Sequence, residues 1–123
     1  MQNRIEILNA TLSDDELRLT CETEEGIEAE RKPSGQMLVD SDNIAFVYIL
    51  ELADSFEYVM IKEHIWPELK QAHDQRKPIV LEAGKESIEL SGLHEELEYL
   101  LENIKDNANY GEEMEEKVNR VFL

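Results

Sequence analysis

The segment Asp40-Ser41-Asp42-Asn43 gathers two carboxylates, a hydroxyl and an amide in one short stretch, the oxygen-rich chemistry that a hard cation takes. Calcium requires roughly six to eight oxygen ligands, and this spacing matches no cation loop. A second stretch, Asp106-Asn107-Ala108-Asn109-Tyr110-Gly111, invites comparison with a helix-loop-helix calcium site and fails it. With Gly111 at the glycine position, Ala108 and Tyr110 fall where ligands belong, and Lys117 stands in place of the bidentate glutamate. Both stretches read as turns and helix caps, because Asp and Asn side chains readily bond their own backbone. His64 and His73 would point to different sides of one helix, and His94 with Glu98 and His64 with Glu68 are i,i+4 pairs of surface type, so no metal is expected. Cys21, the one cysteine, alternates with Leu17 and Leu19 as a small apolar side chain, with no cationic cluster beside it to activate a thiolate. No nucleophile elbow, glycine-rich phosphate loop or Cys-x-x-Cys occurs, so no catalytic residue is assigned and no cofactor is expected. What remains is a candidate interaction or ligand site of Asp40, Asp42, Asn43, Tyr58, Trp66, Asn109 and Tyr110.

The elements that must position these residues follow from hydrophobic periodicity. Ile5 and Ile7, then Leu17, Leu19 and Cys21, alternate with polar neighbours as half-buried strands do, with turn chemistry at Ser13-Asp14-Asp15. Ile27 to Arg31 continues the alternation, and Lys32-Pro33-Ser34-Gly35 is expected to break it before a short run at Met37-Leu38-Val39. Ile44 to Leu50 and Phe56 to Ile61 are nearly continuously apolar, the pattern of central strands covered on both faces, and Leu52-Ala53-Asp54-Ser55 fits a hairpin loop. Glu57 and Lys62 mark where the second of these meets water. A helix is predicted from about 65 to 75, with Pro67 tolerated in its first turn. A hairpin around Gly84 follows. Leu93, Leu97, Leu100, Leu101 and Ile104 then form the clearest helical stripe in the chain, and Met114, Val118, Val121 and Phe122 form another. The expected fold is α+β in a single domain: a mostly antiparallel sheet of six or seven strands, with the middle helix and two C-terminal amphipathic helices packed on it.

Charge narrows the function classes. The chain has 123 residues, with 29 acidic against 12 basic side chains, a formal charge of -17. A domain this acidic, without a basic stripe, lacks what nucleic acid and anionic membranes require. No apolar stretch approaches the roughly 18 to 20 residues of a membrane span, and no secretory leader is visible, so a cytoplasmic setting is expected. The acidic residues are dispersed along the chain, as on solvated faces.

Met37-Leu38-Val39-Asp40-Ser41-Asp42-Asn43, Tyr48-Ile49-Leu50, Asn107-Ala108-Asn109-Tyr110-Gly111-Glu112-Glu113 and Val121-Phe122-Leu123 resemble uncharacterised protein family 0738, small acidic proteins of spore-forming Gram-positive bacteria. The resemblance implies a bacterial cytosolic origin and carries no activity, ligand or site residue. The functional expectation is a non-catalytic protein–protein interaction or regulatory module, with a protein partner or homodimerisation through the C-terminal helices. The alternative is a small enzyme or ligand-binding protein with a pocket near Trp66, Tyr58 and Asp40.

Overall fold

A computed structural model of the chain describes residues 4–21, 31–83, 86–105 and 108–123. Its strands are β1 (Arg4–Leu12), β2 (Leu17–Cys21), β3 (Lys32–Asp40), β4 (Ala45–Glu51), β5 (Phe56–Lys62), β6 (Ile79–Ala83) and β7 (Glu86–Glu89), and its helices α1 (Trp66–Asp74), α2 (Leu93–Ile104) and α3 (Glu112–Phe122). All seven strands form one sheet in the order β3-β4-β5-β1-β2-β6-β7. Four of the six pairings are antiparallel, and β1 with β5 and β2 with β6 are parallel, so the sheet is mixed. β1 serves two neighbours in succession: Arg4 to Glu6 pair with β5, and the register to β2 then shifts between Ile7 and Asn9. An irregularity of this kind bends a strand and increases its twist.

The α+β expectation holds, and the stripe predicted over Leu93 to Ile104 is α2 residue for residue. α1 begins with a 3-10 turn over Glu63–Ile65 and carries Pro67 in its first turn. The hairpin loop closes by a bond from the Leu52 N–H to the Ser55 carbonyl, at 2.8 Å. One expectation is corrected: Lys32-Pro33-Ser34-Gly35, read as a break between strands, lies within a strand and opens β3. Proline is tolerated on an edge strand, and β3 is an edge. Gly35 takes a φ of 74°, and the register to β4 shifts between Pro33 and Met37, so the breaker residues make a bulge. The strand expected over 27–31 lies, apart from Arg31, outside the described residues, as do Gly84, Asp106 and Asn107.

Every helix turns its apolar stripe to the same side of the sheet. Leu69 of α1, Leu97 of α2 and Val118 of α3 meet Ile5, Leu19, Tyr48 and Ile61 in one core. At its centre Trp66 lies 5.1 Å from the Phe46 ring and 5.5 Å from the Phe122 ring, and its indole N–H donates to the Ile61 carbonyl at 3.0 Å. Of the terminal apolar triplet, Phe122 is buried in this core and Val121 packs against it, leaving Leu123 exposed.

The sheet rolls until its edges approach. The fully buried Tyr48 of β4 donates its hydroxyl to the Ser91 carbonyl at 2.5 Å and accepts the Gly35 N–H at 3.1 Å. Burial pushes this phenol up from its ordinary value of 10.0, which keeps it protonated as a donor. Gly92, the residue before α2, has a φ of 75°, and a Cβ there would come within 3.3 Å of the Gly35 Cα. Replacing Tyr48 by Phe removes the hydroxyl and strands two backbone groups, which should cost about 1 to 3 kcal/mol. The expected observation is a lower urea midpoint with an unchanged m-value; an unshifted midpoint would show that water satisfies Gly35 and Ser91 equally well.

Candidate functional site

Side chains on the helix-free face of the sheet come from the alternate positions of the same strands. The register places Leu38 of β3, Val47 of β4, Met60 of β5 and Glu6 of β1 in one row across it. Asp40, Ala45 and Lys62 form the row on one side, and Ile49, Tyr58 and Arg4 the row on the other. Ala45, Val47 and Met60 are buried here as a second, small apolar cluster with Tyr58 packed on it. Beside it Leu38 is 50% exposed, and Phe56, which shares the face by alternation, is 51% exposed. A hollow of about 400 Å³ opens on this floor, with Arg4 and Tyr58 toward one end and Asp40, Ser41 and Asp42 toward the other.

The acidic end is built by the turn between β3 and β4. The Asn43 backbone N–H donates to Asp40 Oδ1 at 3.1 Å, and its side-chain amide donates to Oδ2 at 2.7 Å. These bonds hold the Asp40 carboxyl below its ordinary range, the Asn43 side chain contributing most. The chain leaves the turn through Ile44, whose φ of 50° is uncommon for a β-branched residue. Asp40 therefore stays charged and fixed in direction, with Asp42 exposed beside it. These lining residues offer an apolar floor with a charge at either end.

Of the residues singled out in the sequence, Asp40, Asp42 and Tyr58 line this hollow, and Asn43 fixes Asp40. Trp66 belongs to the core on the opposite face of the sheet, so the pocket envisaged between Trp66 and Tyr58 is not formed. Strand parity could have shown this, since Val59 and Ile61 lead to Trp66 whereas Tyr58 and Met60 point the other way. Asn109 and Tyr110 lie in a 3-10 turn before α3, where Tyr110 packs against the main core. Glu57 is also not the water-facing residue expected: Arg31 donates to it at 2.5 Å, and the two side chains are 6% and 13% exposed.

The sequence also missed a histidine pair. His73, in the last turn of α1, and His94, in the first turn of α2, meet Nδ1 to Nδ1 at 2.9 Å. His94 Nε2 lies 2.6 Å from the Lys77 carbonyl, which can only accept, so that nitrogen carries the proton. His94 Nδ1 is then the acceptor for the His73 Nδ1–H, which leaves His73 Nε2 bare, 3.9 Å from a Glu98 oxygen. Glu98 is itself paired with Arg76. Among the described residues no group of three or more His, Cys, Asp or Glu is placed to hold a metal ion, and no helix is long and apolar enough to cross a membrane.

The profile of a family of unknown function, UPF0738, matches residues 5–122, almost all of this fold. The chain belongs to the UPF0738 family. It is 85% identical to the UPF0738 protein YjbL of Bacillus subtilis and 75% identical to the UPF0738 protein RBAM_011600 of Bacillus velezensis, each over the full length of both chains. A UPF0738 protein of Geobacillus thermodenitrificans is 47% identical over all of this chain and 98% of its own. No solved structure matches the chain.

In this UPF0738 protein the histidine pair makes stability depend on acid. Burial first, then the neighbouring His94 and Arg76, push His73 from its ordinary 6.5 down to about 4. The unfolded chain takes up that proton near 6.5 whereas the fold resists it until about 4, so acid favours unfolding. The stabilisation is complete above pH 6.5 and is lost as pH falls toward 4, amounting to about 3 kcal/mol. Urea midpoints measured between pH 7 and 4 should fall less steeply for His73→Asn than for the parent. Identical slopes would show that His73 does not titrate differently in the two states.

Proposed function

We propose that this UPF0738 protein is a cytoplasmic, non-catalytic protein-recognition module that engages its partner through the helix-free face of the sheet. The observation that carries this is the pair Leu38 and Phe56, each about half exposed, flanking the Val47 and Met60 floor on a face that none of the described helices covers. Apolar side chains grouped in this way on a chain with 33% charged residues mark an interaction surface. Aromatic residues and methionine are also enriched at the centres of such interfaces. The charge of -17 further favours rapid encounter with a basic partner.

The competing readings have less behind them. A catalytic or ligand pocket around Trp66, Tyr58 and Asp40 would need Trp66 on the other side of the sheet. Homodimerisation through the C-terminal helices would rely on what their stripes leave outside the core, chiefly Tyr99 and Leu123.

The test is a photoreactive amino acid placed at Leu38 in living Bacillus cells, with the same group at Tyr99, 66% exposed on α2, as the control. A discrete adduct should form from position 38 and not from position 99. Adducts from neither position, or equally from both, would overturn the assignment of this face.

A further inference from the structure

We propose that the hollow on the helix-free face receives one cationic side chain, an arginine or a lysine, presented by a basic segment of a partner protein; this rests on that face being the interface. The occupant must satisfy two surfaces at once. The floor, Val47 and Met60 with Leu38 at its edge, is apolar and gains from being covered, whereas Asp40 and Asp42 at one end must keep a polar or charged partner when water is displaced. An aliphatic side chain would cover the floor and leave two carboxylates dehydrated. Arginine and lysine combine a hydrocarbon stem with a cationic head, and such stems commonly lie along apolar surface.

Register fixes which way that side chain lies. Tyr58 and Lys62 belong to the two outer rows of the face, which puts those rows about 13 Å apart along the strands. Arg4 stands in the Tyr58 row and Asp40 in the Lys62 row, so a cationic head is drawn to the acidic end of the hollow. The stem then crosses the row of Val47 and Met60. Asp40 is already oriented by its two bonds from Asn43 and pays no further ordering cost on binding.

Charge excludes the other occupants. A second copy would bring another -17 to the interface, and an anionic lipid or nucleic acid would meet the same repulsion. The cations of this face are engaged within the chain, Lys62 with Glu6 at 2.7 Å and Arg4 acting on Asp40. Positive charge for Asp42 therefore comes best from outside.

The experiment titrates the full-length, ¹⁵N-labelled chain with a short, otherwise uncharged peptide carrying one central arginine, and with the same peptide carrying norleucine or glutamate there. The arginine peptide should shift the amide signals of Leu38, Asp42, Val47 and Met60, with the other two binding about tenfold more weakly or not at all. Asp42→Asn, at an exposed position, should weaken the arginine peptide several-fold while the remaining spectrum stays that of the parent. Equal binding of the norleucine peptide would overturn the proposal, and so would shifts spread over the acidic outer faces of α2 and α3. If position 38 crosslinks in cells and no peptide shows arginine preference, the interface stands and the cation site falls. If arginine binds at the hollow but position 38 gives no adduct, it is the interface assignment that fails.

Discussion

A rolled sheet with two free edges has to be held shut somewhere, and here the Tyr48 hydroxyl does it by donating to Ser91 beyond one edge while accepting from Gly35 in the other. Much else depends on that contact. Gly35 and Gly92 touch so closely that a side chain on Gly92 would meet the Gly35 backbone, which explains a bulge in β3 and a left-handed residue before α2. With the edges drawn together, α2 lies over β3 and its leucine stripe reaches the same core as Trp66. The curvature also leaves the opposite face of β3, β4 and β5 to form the hollow.

β4 shows how one strand serves two purposes. Phe46, Tyr48 and Leu50 point into the main core, and Ala45 and Val47 point into the small cluster behind it. All five are buried, so the strand is apolar on both faces. Parity alone separates the two: even-numbered positions build the main core, and odd-numbered ones build the floor of the hollow.

Much of this was legible in the amino-acid sequence, and what was not has physical reasons. α2 could be read because five apolar residues repeat at helical spacing and all are buried. β4 and β5 could be read because an apolar run bounded by turn residues has few other structures open to it. Asp40 and Asn43 were recognisable as a turn because their bonds are local. Pro33 and Gly35 misled, since a breaker in the middle of a sheet is tolerated on an edge, and only the strand order reveals an edge. The His73–His94 contact was hidden because it is made by the packing of α1 against the start of α2, to which no spacing within one helix is a guide. Of the proposed site, the three residues from the β3–β4 turn and β5 converge, and Trp66 was misplaced by one step of strand alternation.

The position of β1 and β2 has a consequence for how the chain folds. They form the first hairpin in the sequence, yet they occupy the middle of the finished sheet, flanked by β5 and β6. Arg4 finds its parallel partner Tyr58, and Leu17 its partner Ile79, only after every strand between has been laid down or bypassed. Until then the hairpin carries two open edges, and non-local pairings of this kind slow folding. Open edges in an unfinished sheet are templates for other chains. The dense negative charge, which keeps unfinished chains apart, therefore protects this fold most before it exists.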